Sequence, residues 1–328
     1  MLDMGTGFIK AGFSGEDLPR CVIPTAIAEK VIEVDPSQQN NIAGMEQKAK
    51  INYTFGNGAI ASRSTHEYHE PISRGVVIDF DRITRLLEHV FTQELGLKTA
   101  NMNLLMTDSP VNTKENKQKL CEIMFEHFKV KSFSLMNTAV LSLFSTGTTT
   151  GLVTECGQGL TYAVPIFEGY ALPHAMHTLN IAGGDITQKL LQELKDCDAP
   201  VTDDHFFLVR EMKEQMCHVA RDYRQELKSR DDPLNQEQRS YELPSGQIIE
   251  VNHHKRVTAS EVIFDPSLAT DPAVRGVDGV ASIAHMAIEK CDSDLKINLY
   301  NNIVLAGGTT LMKGFTERFD NEIRNLAE

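Results

Sequence analysis

The sequence predicts an α/β protein that is built from two related halves. Apolar runs typical of strands alternate with amphipathic segments typical of helices, and this order favours helices packed on a central sheet. A motif of an acid, any residue, glycine, any residue and glycine occurs at Asp3–Gly7 and again at Glu155–Gly159. A supersecondary unit that recurs half a chain away indicates internal duplication.

The alternation of strands and helices is clearest between residues 75 and 144. Residues 75–78 are apolar, and the acids at Asp79–Asp81 are a helix-start signal. Apolar residues then recur at helical spacing, which predicts an amphipathic helix over Ile83–Leu95. The following elements are a strand at Leu104–Met106, a second amphipathic helix through Leu120 and Phe128, a strand at Phe133–Met136 and a buried helix at Ala139–Phe144.

Two stretches interrupt this pattern. Residues 29–70 are polar and irregular, and residues 222–245 are strongly charged. Both predict excursions from a compact core, in the form of loops, a small accessory domain or a partner-facing surface.

The composition excludes several classes of partner. The chain has 32 Lys and Arg against 45 Asp and Glu, so its net charge is 32 − 45 = −13. This balance repels phosphate backbones, so we expect no direct contact with nucleic acid. No apolar run approaches the roughly 20 residues of a membrane-spanning helix, and we expect no membrane contact. Six scattered cysteines without a CxxC pair indicate reduced thiols in an intracellular protein.

The two acid–glycine motifs have the chemistry of a phosphate clamp. Glycines allow tight turns and close backbone approach, and successive N–H groups in such a turn form an anion-binding concavity. A carboxylate at the end of a strand can hold Mg²⁺ through water. Two such turns facing each other would grip a triphosphate, whereas the alternative for each is an ordinary hairpin. An apolar strand that runs into Gly307-Gly308 would let a base or a phosphate approach the backbone.

Several segments are similar, in order and in spacing, to segments of actin and the actin-related proteins, which share a superfamily with sugar kinases and heat-shock chaperone ATPases. The resemblance covers nearly the whole chain and weakens in residues 29–70 and around 222–240. The segments that carry it are Lys10–Asp17, Met124–Glu126, Ala139–Leu143, Val164–His174, Tyr241–Pro244 and Ala306–Thr310.

The resemblance implies the actin-like ATPase fold, with two duplicated α/β halves around a nucleotide cleft and four subdomains. In the family a further segment completes subdomain 1 beyond the position of Glu328. We therefore expect a fragment of a longer chain, with a natural truncation completed by a partner as the alternative. The implied boundaries are 1–24 and 71–145 for subdomain 1, 25–70 for subdomain 2, 146–181 and 277–328 for subdomain 3, and 182–276 for subdomain 4.

The resemblance also implies a site for ATP or ADP with Mg²⁺. Asp3 and Glu155 would hold the metal through water. The implied phosphate-binding residues are Gly5, Thr6, Gly7, Phe8, Lys10, Gly157, Gln158, Gly159 and Leu160. The implied adenosine-binding residues are Gly183, Lys213, Glu214, Gly307, Gly308, Thr309 and Met312, the last in place of the family's usual tyrosine.

Departures from the family pattern concentrate on catalysis. Thr138 occupies the position of the glutamine that positions the attacking water, and Asn137 lies one residue away, about 100° around a helix. Tyr162 replaces a cleft histidine, and the two aspartates of the second loop become Glu155 and Gln158. Positioning and electrostatics supply most phosphoryl-transfer catalysis, so we expect nucleotide binding with weak or absent hydrolysis. The alternative is that these replacements are neutral and leave some activity.

The contacts that build filaments also differ from the family pattern. The polar loop 35–42 replaces an apolar subunit-docking loop, and Asp271-Pro272 makes a poor hydrophobic plug, so homopolymerisation is disfavoured. The resemblance places a docking site for other cytoskeletal or complex subunits at the cleft rim, near Phe144, Gly147 and Thr149. The alternative is that Phe144 is buried.

The sequence therefore predicts a divergent actin-like subunit that is a nucleotide-stabilised interaction platform in a cytoplasmic assembly of the cytoskeleton or of the axoneme. The alternatives are a filament-forming ATPase, a nuclear subunit of a chromatin-remodelling complex, and a small-molecule kinase of the same superfamily.

Two histidine pairs and one cysteine fall outside this scheme. His66 and His69 lie in a segment that reads as a solvated polar loop, because no third metal ligand is evident. The pair His253-His254 is predicted to lie in an exposed turn. Cys156 is predicted to be a small structural residue and not a reactive thiol.

Overall fold

The computed structural model describes residues 1–32, 50–197, 199–228 and 239–328. The chain divides into two compact units, Met1–Leu135 and Met136–Glu328. Both units contain sheets and helices, which confirms the predicted α/β class. The division into four subdomains stays a prediction, and the polar loop 35–42 lies outside the described residues.

The first unit has a central mixed sheet, a smaller antiparallel sheet and a short ribbon. The strands are β1 (Leu2–Met4), β2 (Phe8–Ala11), β3 (Cys21–Pro24), β4 (Ile27–Ile32), β5 (Lys50–Phe55), β6 (Glu67–His69), β7 (Ile72–Ser73), β8 (Val76–Val77), β9 (Asn103–Asp108) and β10 (Ser132–Asn137), and the unit boundary falls within β10. The helices are α1 (Asn57–Ser62), α2 (Phe80–His89), continued by the π-helical residues Val90–Glu94, and α3 (Lys114–Glu122), continued by the π-helical residues Ile123–His127. The central sheet has the order β10-β9-β1-β2-β3 and the smaller one β5-β4-β6.

Helix α2 begins and buries its face as its sequence predicts. Asp79 is the N-cap, and its Oδ1 accepts a hydrogen bond of 2.9 Å from the backbone N–H of Arg82. Ile83, Leu86 and Leu87 are fully buried in the core of the first unit. Each such side chain contributes about 1.5–3 kcal/mol through burial, so this apolar stripe fixes the helix on its sheet.

The segment that was expected to be irregular, residues 29–70, is structured where it is described. Strand β4 pairs with both β5 and β6, and Ala28 lies opposite Tyr68. The expectation of a solvated loop is therefore wrong at His69, because Glu67–His69 form an edge strand of a small sheet, whereas His66 lies in the bend that precedes it. The accessory-domain interpretation fits better, since Ala26, Ala28 and Ala59 form a small core of their own.

The second unit has a mixed sheet in the order β13-β12-β11-β17, with β14 also paired to β12, and a separate hairpin of β15 and β16. Its strands are β11 (Gly151–Cys156), β12 (Thr161–Phe167), β13 (Tyr170–Ala171), β14 (His177–Leu179), β15 (Arg239–Glu242), β16 (Ile248–Val251) and β17 (Ile303–Ala306). Its helices are α4 (Thr138–Phe144), α5 (Gly183–Lys195), α6 (Phe206–Met216), α7 (Tyr223–Lys228), α8 (His253–Glu261), α9 (Val280–Glu289), α10 (Ser293–Asn301) and α11 (Phe315–Ala327).

Strands β11 and β12 form the interior of this unit. Residues of both parities along them are buried, including the neighbours Leu152 and Val153 and the neighbours Ala163 and Val164. A strand that is covered on both faces is apolar on both faces, which is why these runs are nearly continuous in hydrophobicity. One core cluster joins this sheet to helices α5, α6, α8, α9 and α11.

The segment expected to be a poor plug, residues 266–272, is folded against the second unit. Asp265 and Asp271 cap short 3₁₀ turns at Pro266–Leu268 and Pro272–Val274. Val274 is buried in the core of this unit. Aspartate and proline favour such turns. Asp271 and Pro272, which would weaken an apolar plug, therefore form a capped turn here.

Across the described ranges, every helix is too short or too polar to cross a bilayer.

Candidate functional site

The two acid–glycine motifs are hairpins with the same geometry. The register of β1 and β2 pairs Asp3 with Lys10, and the register of β11 and β12 pairs Glu155 with Tyr162. In the first hairpin the N–H of Gly5 donates to the carbonyl of Phe8 at 3.0 Å, and in the second the N–H of Gly157 donates to the carbonyl of Leu160, also at 3.0 Å. The sequence repeat is thus a repeat of backbone structure.

The tips of both hairpins carry donors that suit an anion. Within the part of the chain that the structure describes, the backbone N–H groups of Thr6, Gly7 and Gln158 have no protein acceptor. A Cβ on Gly5 would come within 3.0 Å of the Phe8 carbonyl, so the turn leaves little room for a side chain there. Adjacent N–H groups in a tight turn attract oxyanions, and the residues present therefore fit a phosphate.

The acid of the first hairpin is held by residues far away in sequence. The hydroxyl of Thr107 on β9 donates to Asp3 Oδ1 at 2.7 Å, and Lys10 Nζ lies 3.4 Å from Oδ2. Thr25 supports the turn itself, because its hydroxyl donates to the Gly5 carbonyl at 2.7 Å. No local sequence pattern predicts the contacts of Thr25 and Thr107, because both threonines reach the first hairpin only through the tertiary structure.

The acid of the second hairpin has a neutral partner. Tyr162 is only 4% exposed, and its hydroxyl donates to Glu155 Oε2. Tyr162 occupies the register position that Lys10 holds opposite Asp3 in the first hairpin. The second hairpin thus has a phenol where the first has a cation, beside the carboxylate expected to hold magnesium-bound water.

The N-terminus of α5 closes over the second turn. The N–H groups of Gly183 and Gly184 donate to the carbonyls of Gly157 and Gln158 at 2.9 and 2.8 Å. The hydroxyl of Thr309 donates to the same Gly157 carbonyl at 2.9 Å, and a Cβ on Gly183 would lie 2.6 Å from its oxygen. The structure therefore brings two of the predicted adenosine residues, Gly183 and Thr309, directly onto the turn of the second hairpin.

Lys213 joins this network from α6. Its Nζ donates to the Gly183 carbonyl at 2.9 Å, and the residue is 4% exposed. Burial lowers the pKa of this ammonium to about 8, although the nearby Glu214 opposes the shift. Lys213 is thus a cation one hydrogen bond from the residues that hold the second turn.

Gly307 shows why glycine is needed at the end of β17. Its φ is +86°, and a Cβ there would lie 2.3 Å from the Cys156 carbonyl oxygen. Cys156 is fully buried, and burial raises the pKa of its thiol far above the ordinary range. A protonated, enclosed thiol is unreactive, which agrees with the structural role predicted for it.

Two of the predicted adenosine residues have other surroundings. Glu214 is exposed on α6 and accepts a hydrogen bond of 3.1 Å from Arg210 Nε. Met312 packs against the core of the second unit. Their part in a nucleotide site, like that of Gly308, stays a prediction.

Asn137 is not on a helix, contrary to expectation. It ends β10 and caps α4, and its Oδ1 accepts a hydrogen bond of 2.9 Å from the N–H of Ala139. Thr138 is the first residue of α4. Because the Asn137 carbonyl oxygen serves the cap, this side chain is a poor substitute for a water-positioning glutamine.

Phe144 is exposed, so the alternative that it is buried is wrong. Its exposed fraction is 41%, and it lies at the end of α4. A Cβ on Gly169 would lie 3.1 Å from its ring, and the N–H of Gly169 donates to the Thr149 carbonyl at 2.7 Å. Gly147 has a φ of +80° in the turn that follows α4. Docking of a partner here stays a prediction.

Two α/β units that repeat the same acid–glycine hairpin define the class of duplicated α/β proteins. The family model described as Actin matches residues 1–328, which is the whole chain. The chain therefore belongs to the actin family. Members of this family generally bind ATP or ADP with Mg²⁺ and are generally cytoskeletal.

Proposed function

We propose that this chain is a divergent actin-like subunit that binds ATP or ADP with Mg²⁺ and acts as an interaction platform in a larger assembly. The observation that carries the proposal is the identical turn in the two hairpins, with backbone donors at Thr6, Gly7 and Gln158. The metal supplies neutralisation of phosphate charge when bound. Asp3 and Glu155 are the residues that would hold its water.

Hydrolysis in this proposal is weak or absent. Thr138 carries only a short hydroxyl where the family has an amide, and Asn137 is engaged as a helix cap. The second hairpin places neutral Tyr162 against Glu155. Since catalysis of phosphoryl transfer depends on positioning a water and on fixed charges, these changes weaken hydrolysis more than binding.

A fluorescent ATP analogue, titrated into the purified chain with Mg²⁺, tests binding. We expect saturation at one nucleotide per chain and slow phosphate release in a single turnover. The variant Lys10→Met removes the exposed ammonium of the first hairpin and weakens binding, whereas Lys30→Met on exposed β4 is the matched control. Absence of saturable binding contradicts the proposal. Phosphate release as fast as that of a filament-forming actin assayed in parallel contradicts its second part.

The platform role is supported by two features of the second unit. Phe144 is exposed at the end of α4, and residues 266–274 are folded into capped turns. We place the assembly in the cytoplasmic cytoskeleton, with the axoneme or the nucleus as alternatives. In polymerising salt the chain is expected to remain in the supernatant after high-speed sedimentation, and pelleting like that of actin contradicts this expectation.

A further inference from the structure

The second unit contains three metal-ligating side chains that neither hairpin uses. His218 follows α6, Glu226 lies on α7 and His253 is the first residue of α8. His253 Nε2 lies 2.7 Å from Glu226 Oε1, and His218 Nε2 lies 3.5 Å from the same oxygen. One ligand atom from each residue lies within 4.8 Å of the others.

Local structure fixes these side chains in place. Asn252 caps α8, with its Oδ1 accepting a hydrogen bond of 3.0 Å from the Lys255 N–H, and this sets His253 at the helix start. The His253 side chain is 16% exposed, so the expected exposed turn is wrong. The rings of His218 and His253 lie 5.1 Å apart, with both imidazoles directed at Glu226.

The donor set is that of a transition-metal site. Two imidazole nitrogens and one carboxylate oxygen are the ligands of zinc sites that keep a fourth position open. Tetrahedral bonds of about 2.1 Å place ligand atoms about 3.4 Å apart, close to the separation of His218 and Glu226.

We propose that His218, Glu226 and His253 bind one Zn²⁺ ion per chain. The ion would connect the end of α6, helix α7 and the start of α8. The hydroxyls of Tyr223 and Thr258, 3.2 Å apart, already join α7 to α8. Glu226 Oε1 faces both histidines, at 2.7 Å from His253 Nε2 and 3.5 Å from His218 Nε2. The proposal rests on the second unit alone and does not depend on nucleotide.

A zinc titration of the metal-stripped, nucleotide-free chain tests the proposal. Excess Mg²⁺ blocks sites that prefer oxygen ligands, and a chromogenic chelator reports free zinc. We expect one equivalent to bind, and each of His218→Ala, Glu226→Gln and His253→Ala to weaken binding by more than about tenfold. His174→Ala, at an exposed histidine of the same unit, is the control and is expected to leave binding unchanged.

A triple variant that combines His218→Ala, Glu226→Gln and His253→Ala retains the cysteines, including exposed Cys197. Zinc that binds to cysteines would therefore still bind to this variant, whereas zinc at the proposed site would not. Zinc is expected to raise the melting temperature of the wild type and of His174→Ala but not that of the triple variant. Trypsin cleavage at Arg224 and Lys228 in α7 is expected to slow when zinc is bound.

Cobalt binding to the wild-type chain provides a readout that needs no variant to fold. We expect the intense visible absorption of four-coordinate Co²⁺ with nitrogen and oxygen ligands. Zinc binding of equal affinity in the wild type and the triple variant overturns the proposal, and so does the weak spectrum of six-coordinate cobalt.

Discussion

The hydroxyl of Tyr162 donates a hydrogen bond to the carboxylate of Glu155, at the register position where the first hairpin pairs Lys10 with Asp3. The two hairpins share a turn, a register and a strand pairing, yet they differ in the charge opposite the acid. The duplicated backbone has therefore kept its shape while the side chains that set its electrostatics have changed.

Removal of the Tyr162 hydroxyl tests how strongly Glu155 depends on it. We expect Tyr162→Phe to lower the free energy of unfolding by about 1–3 kcal/mol, because the carboxylate of Glu155 loses the hydrogen bond that the buried hydroxyl donates. Urea denaturation measures the change. Tyr170→Phe, at a tyrosine exposed on β13, is expected to change stability by less than about 0.5 kcal/mol. Equal effects of the two variants would show that the Tyr162 hydrogen bond contributes nothing.

Restoring an amide at the head of α4 tests the assignment of weak hydrolysis. We expect Thr138→Gln to accelerate phosphate release in a single turnover by about tenfold or more, which corresponds to a barrier lower by ~1.4 kcal/mol. Thr138→Asn, with a shorter amide, is the control and should give little gain. An unchanged rate in Thr138→Gln, with nucleotide binding intact, would mean that this position does not limit hydrolysis.

The parts of the fold that the sequence predicts have local signals. Helix α2 follows from its Asp79 cap and from apolar residues at helical spacing. The two hairpins follow from an acid and glycines within five residues. These features are encoded by neighbours in sequence, so no tertiary contact is needed to recognise them.

The parts that the sequence does not predict depend on distant residues. Thr107 reaches Asp3 from more than a hundred residues away, and only the pairing of β1 with β9 brings them together. His218, Glu226 and His253 come from three separate elements, so no spacing rule for metal ligands identifies them. The start of α8 was detectable, because Asn252 is a favourable N-cap residue immediately before the histidine pair.

Because of Lys213, the free energy of unfolding of the nucleotide-free chain is expected to change with pH in the alkaline range. The pKa of Lys213 is about 8 in the folded state against an ordinary value of 10.5. Between these values the folded lysine has lost its proton while the unfolded one still holds it, so the free energy of unfolding rises with pH. The full rise is about 3 kcal/mol, and below pH 8 the whole cost of burying the charge is present.

Urea denaturation between pH 7 and 10.5 measures this dependence. Lys213→Met is expected to remove the rise, whereas Lys290→Met, at an exposed lysine after α9, is expected to retain it. Parallel pH profiles for wild type and Lys213→Met would contradict the lowered pKa.

Arg318 neutralises the most deeply buried carboxylate of the second unit's described helices. Its Nη2 and Nη1 lie 2.6 and 3.1 Å from the two oxygens of Glu261, which is 2% exposed, and Nη1 also donates to the Ala220 carbonyl. The guanidinium stacks over Phe264 at 5.0 Å. Even so, burial raises the pKa of Glu261 to about 7, so the pair is held against a large desolvation penalty.

Removal of one partner from this pair is therefore expected to be costly. Arg318→Met leaves the Glu261 carboxylate buried without its cation, and we expect a loss of about 3–5 kcal/mol in the free energy of unfolding. Arg324 on the same helix pairs with exposed Asp320 at 2.9 Å, so Arg324→Met is a matched control with a loss below about 1 kcal/mol. Urea denaturation compares them, and similar losses would contradict the argument. Loss of the cation raises the pKa of Glu261 further, so in Arg318→Met the carboxyl takes up its proton at a higher pH than in the wild type. The loss should therefore be largest well above pH 7 and should shrink as the pH falls towards 7, and Glu261→Gln in the same chain should restore part of the stability.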